Sequence, residues 1–358
     1  MEMSVATMVA LGGLLGGVFL GIASRWGRFC TLGALEDGFY GHDFRRLRAW
    51  ALAIATGMLI THLAWWSGLV SLEESFVLSA PFAPLGLVVG GVVFGFGMAL
   101  TGTCPFGVLA RVGGGDLRSV IVLLVIAVAG YATMVGILSP LRIAIFEPWT
   151  LALEGNQHMG RLLSEALGVP LSGPLVLCTI VGLLWWALRD RAFRRTPRYW
   201  ISGLIVGAAI GAGFLVTGLG AKETFEIIPI KSHSFVAPTG QAVLYAMTQS
   251  SRGIDFGVAA LIGVILGAWG TTLVRRTFEW EACDDVRELG RHMTGGVLMG
   301  VGGILALGCS VGQGLTAASA FALSAPLAML AMALGARAGL GFLVEGRLFP
   351  GFPGRAKP

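Results

Sequence analysis

Three of the five cysteines in this 358-residue chain stand where a long apolar run stops: Cys30 in GRFCTLG, Cys104 in GTCPFG and Cys309 in GCSVGQG. None belongs to a CxxC pair or a Cys/His cluster, so the spacing indicates neither a metal site nor a redox pair. What remains is the chemistry of neutral thiols. A thiol in apolar surroundings stays protonated, and a protonated thiol does not repel an anion. It is a weak, soft donor, poorly matched to hard oxygens and better matched to polarisable sulfur. Neutral donors accompany it: Thr31 follows Cys30, Thr103 precedes Cys104, and Ser310 and Gln313 follow Cys309. Pro105 suits the first position of a helix and Ser310 a helix cap, so each cysteine reads as the hinge between two helical pieces. The other two read differently. Cys178 lies in a plain apolar helix as a small hydrophobe, and Cys283 is exposed in the acidic stretch 281–288.

Such hinges need a scaffold, and composition names its kind. The chain is 55% hydrophobic and 13% charged, with a mean hydropathy of +0.79. A soluble domain carries about twice that charge. This is an all-α polytopic membrane protein. Its 55 glycines suit close helix–helix approach in lipid. Nine apolar segments are long enough to span or nearly so: Val5–Ser24, Trp50–Val70, Pro84–Leu100, Val120–Leu138, Pro174–Leu188, Ile201–Leu219, Phe256–Val274, Thr294–Leu307 and Pro326–Val344. The first lacks a basic leader and a small-residue cleavage site, so it is kept as a span and not a signal peptide.

The segment Gly90–Gly107, GGVVFGFGMALTGTCPFG, occurs a second time as Gly295–Gly312, GGVLMGVGGILALGCSVG. Without a gap, Gly90/Gly295, Gly97/Gly302, Cys104/Cys309 and Gly107/Gly312 coincide. Upstream, Gly13, Gly17 and Gly21 fall in register with Gly203, Gly207 and Gly211, and Phe29-Cys30-Thr31 with Phe235-Val236-Ala237. Basic loops (Arg45, Arg46, Arg48; Arg189 to Arg198; Arg275, Arg276) read as cytoplasmic, together with the tail holding Arg355 and Lys357. The segments with Glu73 and Glu74, with Glu147, Glu154 and Glu165, and with Glu223 and Glu226 then lie outside, as does the N-terminus. Under that orientation the two copies run in opposite senses. The expected layout is a single transmembrane domain over residues 1–358: repeat 1 over about 5–140, a connector over 141–190 and an inverted repeat 2 over about 199–345.

Four stretches read as re-entrant or broken: Trp26–Tyr40, the Gly102–Pro105 break, Ser232–Thr248 and Gly308–Gly314. Non-helical backbone is tolerated at membrane depth only where it is buried or lines a cavity. Half-helix N-termini at such breaks present unpaired N–H groups, an anion site without side-chain charge. Thr31, Thr103, Thr239, Gln241, Ser310 and Gln313 add neutral donors. A neutral thiol among them suits the terminal sulfur of an anion such as thiosulfate, and weak contacts let an ion leave again.

Charged residues near the breaks admit structural and functional readings. Arg25 and Arg28 either anchor the first break at the interface or draw anions to an inner mouth, with Glu36 and Asp37 expected to pair with them. Lys222, Lys231 and His233 are expected at an outer, basic vestibule, unless they are simply solvated. His62 with Trp65-Trp66, and Trp185-Trp186, read as interface anchors. There is no His/Ser/Asp set and no phosphate-binding loop, so no catalytic residue, cofactor, metal or ATP use is expected, and no nucleic acid partner.

The GRFCTLGA, GTCPFG and GCSVGQG motifs, with the Gly-rich halves and nine-span pattern, resemble the YeeE/YedE family of membrane sulfur transporters over essentially the whole chain. The resemblance implies inward passage of thiosulfate through S–H···S contacts along a path lined by Cys30, Cys104 and Cys309, in a bacterial inner membrane. The proposed path residues are these three with Thr31, Thr103, Ser310, Gln313 and Gln241. The resemblance also implies a small sulfur carrier of the TusA type as partner, here a separate protein. Two alternatives stay open: a membrane thiol enzyme that takes the sulfane sulfur as a persulfide, and transport of a selenium anion. The enzyme requires a cation beside a thiolate, which only Cys30, near Arg28, has locally.

Overall fold

Among the described residues, fifteen helices of eight residues or more arrange the cysteine hinges, and the glycines decide how closely they approach. The computed structural model describes residues 4–151, 153, 156–224, 228–248, 254–282 and 285–346. Cys283, Glu154, Glu226, Arg355 and Lys357 lie outside the described residues. In chain order the helices are α1 (Val5–Gly27), α2 (Thr31–Phe39), α3 (Arg45–Trp66), α4 (Pro84–Thr101), α5 (Pro105–Val112), α6 (Leu117–Met134) and α7 (Ser139–Phe146). Then come α8 (Met159–Leu167), α9 (Ser172–Leu188), α10 (Pro197–Glu223), α11 (Ala237–Thr248), α12 (Phe256–Arg275) and α13 (Val286–Leu305). The last two are α14, over 310–319, and α15 (Ser324–Glu345). Among the described residues, β pairing is limited to isolated bridges.

Each of the nine apolar segments falls on a helix. Among the described residues, seven stretches are long and apolar enough to cross a membrane. The other two segments are α9, a 17-residue apolar helix, and α13, whose first turns carry Arg287, Glu288, Arg291 and His292.

Packing follows one rule in both halves. Helix α1 packs on α12 while α3 packs on α10, and α4 packs on α15 while α13 packs on α6. In the first set, a Cβ on Gly13 or Gly17 would meet the Phe256 or Ala260 carbonyl at 2.4 or 2.1 Å. Their sequence mates Gly203 and Gly207 would meet Ala49 and Ala53 carbonyls at 2.7 and 2.5 Å. The central crossing is reciprocal. Gly90 lies on Gly302 and Gly97 on Gly295, each Cβ position 2.7–2.8 Å from the facing carbonyl. Replacing each glycine by its sequence mate turns the Gly90–Gly302 contact into the Gly295–Gly97 contact, so the two contacts are equivalent. Numbers rise on α4 as they fall on α13, so the two helices run antiparallel there.

Candidate functional site

The hinges are built as the sequence suggests, and backbone conformation shows how. Helices α1 and α4 end on left-handed residues, Arg28 (φ 52°) and Gly102 (φ 72°). Helix α13 ends shortly before Leu307 (φ 55°) and Gly308 (φ 158°). A left-handed Leu or Arg is costly unless its surroundings enforce it. Each reversal is followed within two residues by a cysteine, and that cysteine opens the next helix. Its carbonyl accepts the first helical bond: Ala34 N to Cys30 O at 3.1 Å, Val108 N to Cys104 O at 2.9 Å, Gln313 N to Cys309 O at 2.8 Å. All three thiols thus sit at helix N-caps, beside N–H groups without intrahelical partners. Cys309 Sγ takes one of these, from Gly312 N at 3.4 Å.

A neutral hydroxyl stands beside each of the three thiols. Thr31 Oγ1 lies 2.8 Å from Ser310 Oγ and 3.7 Å from Cys104 Sγ. Cys30 Sγ lies 3.8 Å from Thr103 Oγ1, and Cys309 Sγ lies 3.9 Å from Ser234 Oγ. Cys104 and Cys309 are wholly buried and Cys30 is half-buried. Phe106, two residues past Cys104, stacks on Phe235 at 5.4 Å, both of them buried. The middle of the molecule is closed.

Two mouths flank this closed centre. One is a vestibule of about 400 Å³ whose floor includes Gly308 and Gly312, on either side of Cys309. Lys231, Ser232, Ser234, Gln241, Thr316 and Arg142 contribute to its walls. Lys231 is neutralised by Asp255 at 2.7 Å. Arg142, on α7, has no ion-pair partner among the described residues, and its buried Nε has no hydrogen-bond partner. It is the uncompensated cation of the vestibule. At the opposite side, Cys30 lies in a shallow recess with Arg28, Arg46, Tyr199 and Trp50. Arg198 feels the charges of Arg28, Arg46 and Arg275 there, and Arg111 donates to the Gly102 carbonyl at 3.1 Å.

Several expectations change. Asp37 pairs with Arg46 at 3.2 Å, not with Arg25 or Arg28, because α2 turns its acidic face to α3. Lys222 donates to the Gly68 carbonyl and does not line the vestibule. His233 is buried against Gly16 and Phe256, and only its carbonyl turns inward, accepting from Thr316 Oγ1 at 2.7 Å. His62 is no interface anchor: it is buried 3.3 Å from His158. Thr239 spends its hydroxyl on the Phe235 carbonyl of its own turn. Gln313 donates to the Ala306 carbonyl at 2.9 Å, leaving its buried Oε1 without a partner, while Gln241 reaches the vestibule as expected. Sequence reasoning missed Arg142, Ser234 and Thr316. The available signal was a lone arginine inside the apolar run 138–146.

The family model for sulphur transport matches residues 26–338, from the first hinge to the last long helix. The chain belongs to the sulphur transport family. It is similar to a protein of Spirochaeta thermophila named thiosulfate transporter TsuA, 26% identical over 338 residues, covering 90% of this chain and 96% of that protein. The protein of the same name in Escherichia coli strain K12 is 26% identical over 325 residues, 85% of this chain and 86% of its own length. Family membership gives the scaffold its role: a multi-pass membrane protein of sulfur transport, whose glycine-packed halves hold three hinge cysteines around a closed centre.

Proposed function

We propose that this protein takes up thiosulfate, or a closely related sulfur anion, across a bacterial inner membrane, from the vestibule past Cys309 and Cys104 to Cys30. One observation carries the reading. All three thiols sit at helix N-caps and each has a neutral hydroxyl beside it, so the route offers soft S–H and N–H donors and no fixed charge at its core. Partial positive charge at helix starts favours an anion, while weak thiol contacts let it move on. Thr31, Thr103 and Ser310 hand the ion between sulfurs, and Gln313 and Gln241 flank Cys309 on its way in. Arg142 supplies the attraction that brings the ion into the vestibule.

The same reading sets the rest of the layout. The halves over about 5–140 and 199–345 are inverted repeats around the connector 141–190, the N-terminus is outside and the C-terminus cytoplasmic. The basic recess at Cys30 faces the cytoplasm, where a separate carrier of the TusA type receives the sulfur. The names of the two TsuA relatives support the substrate.

The test is uptake of thiosulfate labelled at its sulfane sulfur in cells lacking other routes, at matched expression. Uptake of intact label that falls at least about tenfold in both Cys104→Ala and Cys309→Ala is the expected result. Undiminished uptake in both variants removes the thiols from the mechanism. Retention of the sulfane atom alone turns the protein into a thiol enzyme.

A further inference from the structure

A second cavity lies away from the cysteine route. It is a cleft of about 380 Å³ with α3 and α9 on one wall and α15 on the other, reaching inward to Thr31. Leu47, Met58, Leu183, Trp186, Ala325 and Met329 line it, and its few polar side-chain groups are the hydroxyls of Thr31 and Thr179 and the indole N–H groups of Trp50 and Trp186. Leu47 and Met58 bracket its extent along α3. At 1.5 Å per residue they are about 16 Å apart, close to the hydrocarbon depth of one leaflet.

The end at Leu47 and Trp186 is marked by cations. Arg48 holds its guanidinium over the Trp186 ring at 4.9 Å, donates to the Trp186 carbonyl and pairs with Asp190 at 3.4 Å, as Arg45 pairs with Asp43 at 2.6 Å. Arg189 lies over the Trp185 ring at 5.1 Å, and Arg45 over Tyr199 at 5.7 Å. Aromatic rings with basic side chains above them mark a membrane–water interface and suit a phosphate. Beyond the few hydroxyl and indole donors, of which the Trp50 indole N–H has no partner, the lining is aliphatic and cannot give a water the several hydrogen bonds it needs, so water is a poor occupant and a hydrocarbon chain a good one.

We propose that this cleft binds one phospholipid, with an acyl chain between α3 and α15 and its phosphate at Arg189. Unlike annular lipid on the outer surface, this chain reaches Thr31, the residue that bridges Ser310 and Cys104. The bound chain is therefore packing for the first hinge. Thr179, whose hydroxyl is satisfied by the Leu175 carbonyl within α9, can be enlarged without touching that hinge.

Native mass spectrometry of the full chain, purified in mild detergent and washed free of bulk lipid, is the first test. A single phospholipid-mass adduct is expected on most molecules, with occupancy at least about tenfold lower in Thr179→Trp and unchanged in Thr179→Val. Absence of a retained lipid from the unaltered protein overturns the proposal, as does equal retention in Thr179→Trp. Should Thr179→Trp fail to fold, the unaltered protein decides through a phosphatidylglycerol carrying a photoreactive acyl chain. Adducts on residues 47–58 and 318–329 exceeding those on the exposed Leu124 and Val128 support the cleft. A uniform distribution sinks it. A detergent-resistant dimer that forms without lipid, with the cross-link lost from 47–58, would seat a second copy there instead and overturn it too.

Discussion

The break at Cys104 and the break at Cys309 share a backbone plan and differ in what surrounds it. Both follow a Gly-rich helix, a left-handed reversal and a cysteine N-cap. After Cys104 comes Pro105 and a short regular helix; after Cys309 comes a helix whose Gly312–Ala317 portion is π-helical. Cys104 has a second thiol close by, through Thr103 and Cys30, whereas the position matching Cys30 in the other half is Val236. Cys309 instead has Ser234, a Gly312 N–H and the vestibule with Arg142. The scaffold is duplicated and the chemistry is not. Gly-to-Gly contact tolerates no variation, while the side chains lining a cavity are free to diverge.

That contrast can be broken at the scaffold first. Gly302→Leu drives a side chain into Phe94 N, 2.5 Å from the Cβ position, and into the Gly90 carbonyl. The expected cost is about 3 kcal/mol or more, read as loss of monodisperse protein on size-exclusion chromatography. Gly182→Leu, on α9 with open space around it, is the matching substitution expected to be silent.

At the chemistry, the difference sharpens. Arg142→Gln is expected to raise the half-saturating thiosulfate concentration about tenfold with the maximal rate held, since a cation in a partly enclosed vestibule acts on the ion before it enters. Lys231→Gln should change it about twofold at most, because Asp255 already cancels its field. Equal effects would remove the asymmetry between the two cations. Thr31→Val removes the link to Ser310 and is expected to cost about 1 kcal/mol in thermal stability and to slow uptake a few-fold.

A further effect is one of pH. Burial, with His62 and Arg161 nearby, lowers the His158 imidazole to about 4, so it is neutral in the fold. Unfolded, it takes a proton near pH 6.5. Thermal stability should therefore be level above pH 6.5 and fall as pH drops from there toward 4. His158→Gln should flatten that decline.

The hinges were legible because polar and glycine residues stood inside apolar runs, and the duplication because eighteen residues aligned without a gap. The central crossing followed from the same glycines. Charges were harder. Asp37 looked close to Arg25 and Arg28 along the chain, but helix α2 faces α3, and sequence distance says nothing of that face. His233 read as a vestibule residue, yet the deciding fact was the space above Gly16, which only packing supplies. Arg142 stood in the connector, outside every break, and reached the vestibule through the folding of α7 over it.

The stacked Phe106 and Phe235 rings and the two fully buried thiols have a further consequence for the cell that carries the protein. A membrane energised by ion gradients is discharged by any standing hole. On the proposed route, the stacked rings and buried thiols block the centre. If the ion takes that route, each passage has to part the two rings and let them close again. The bilayer keeps its voltage while the protein waits.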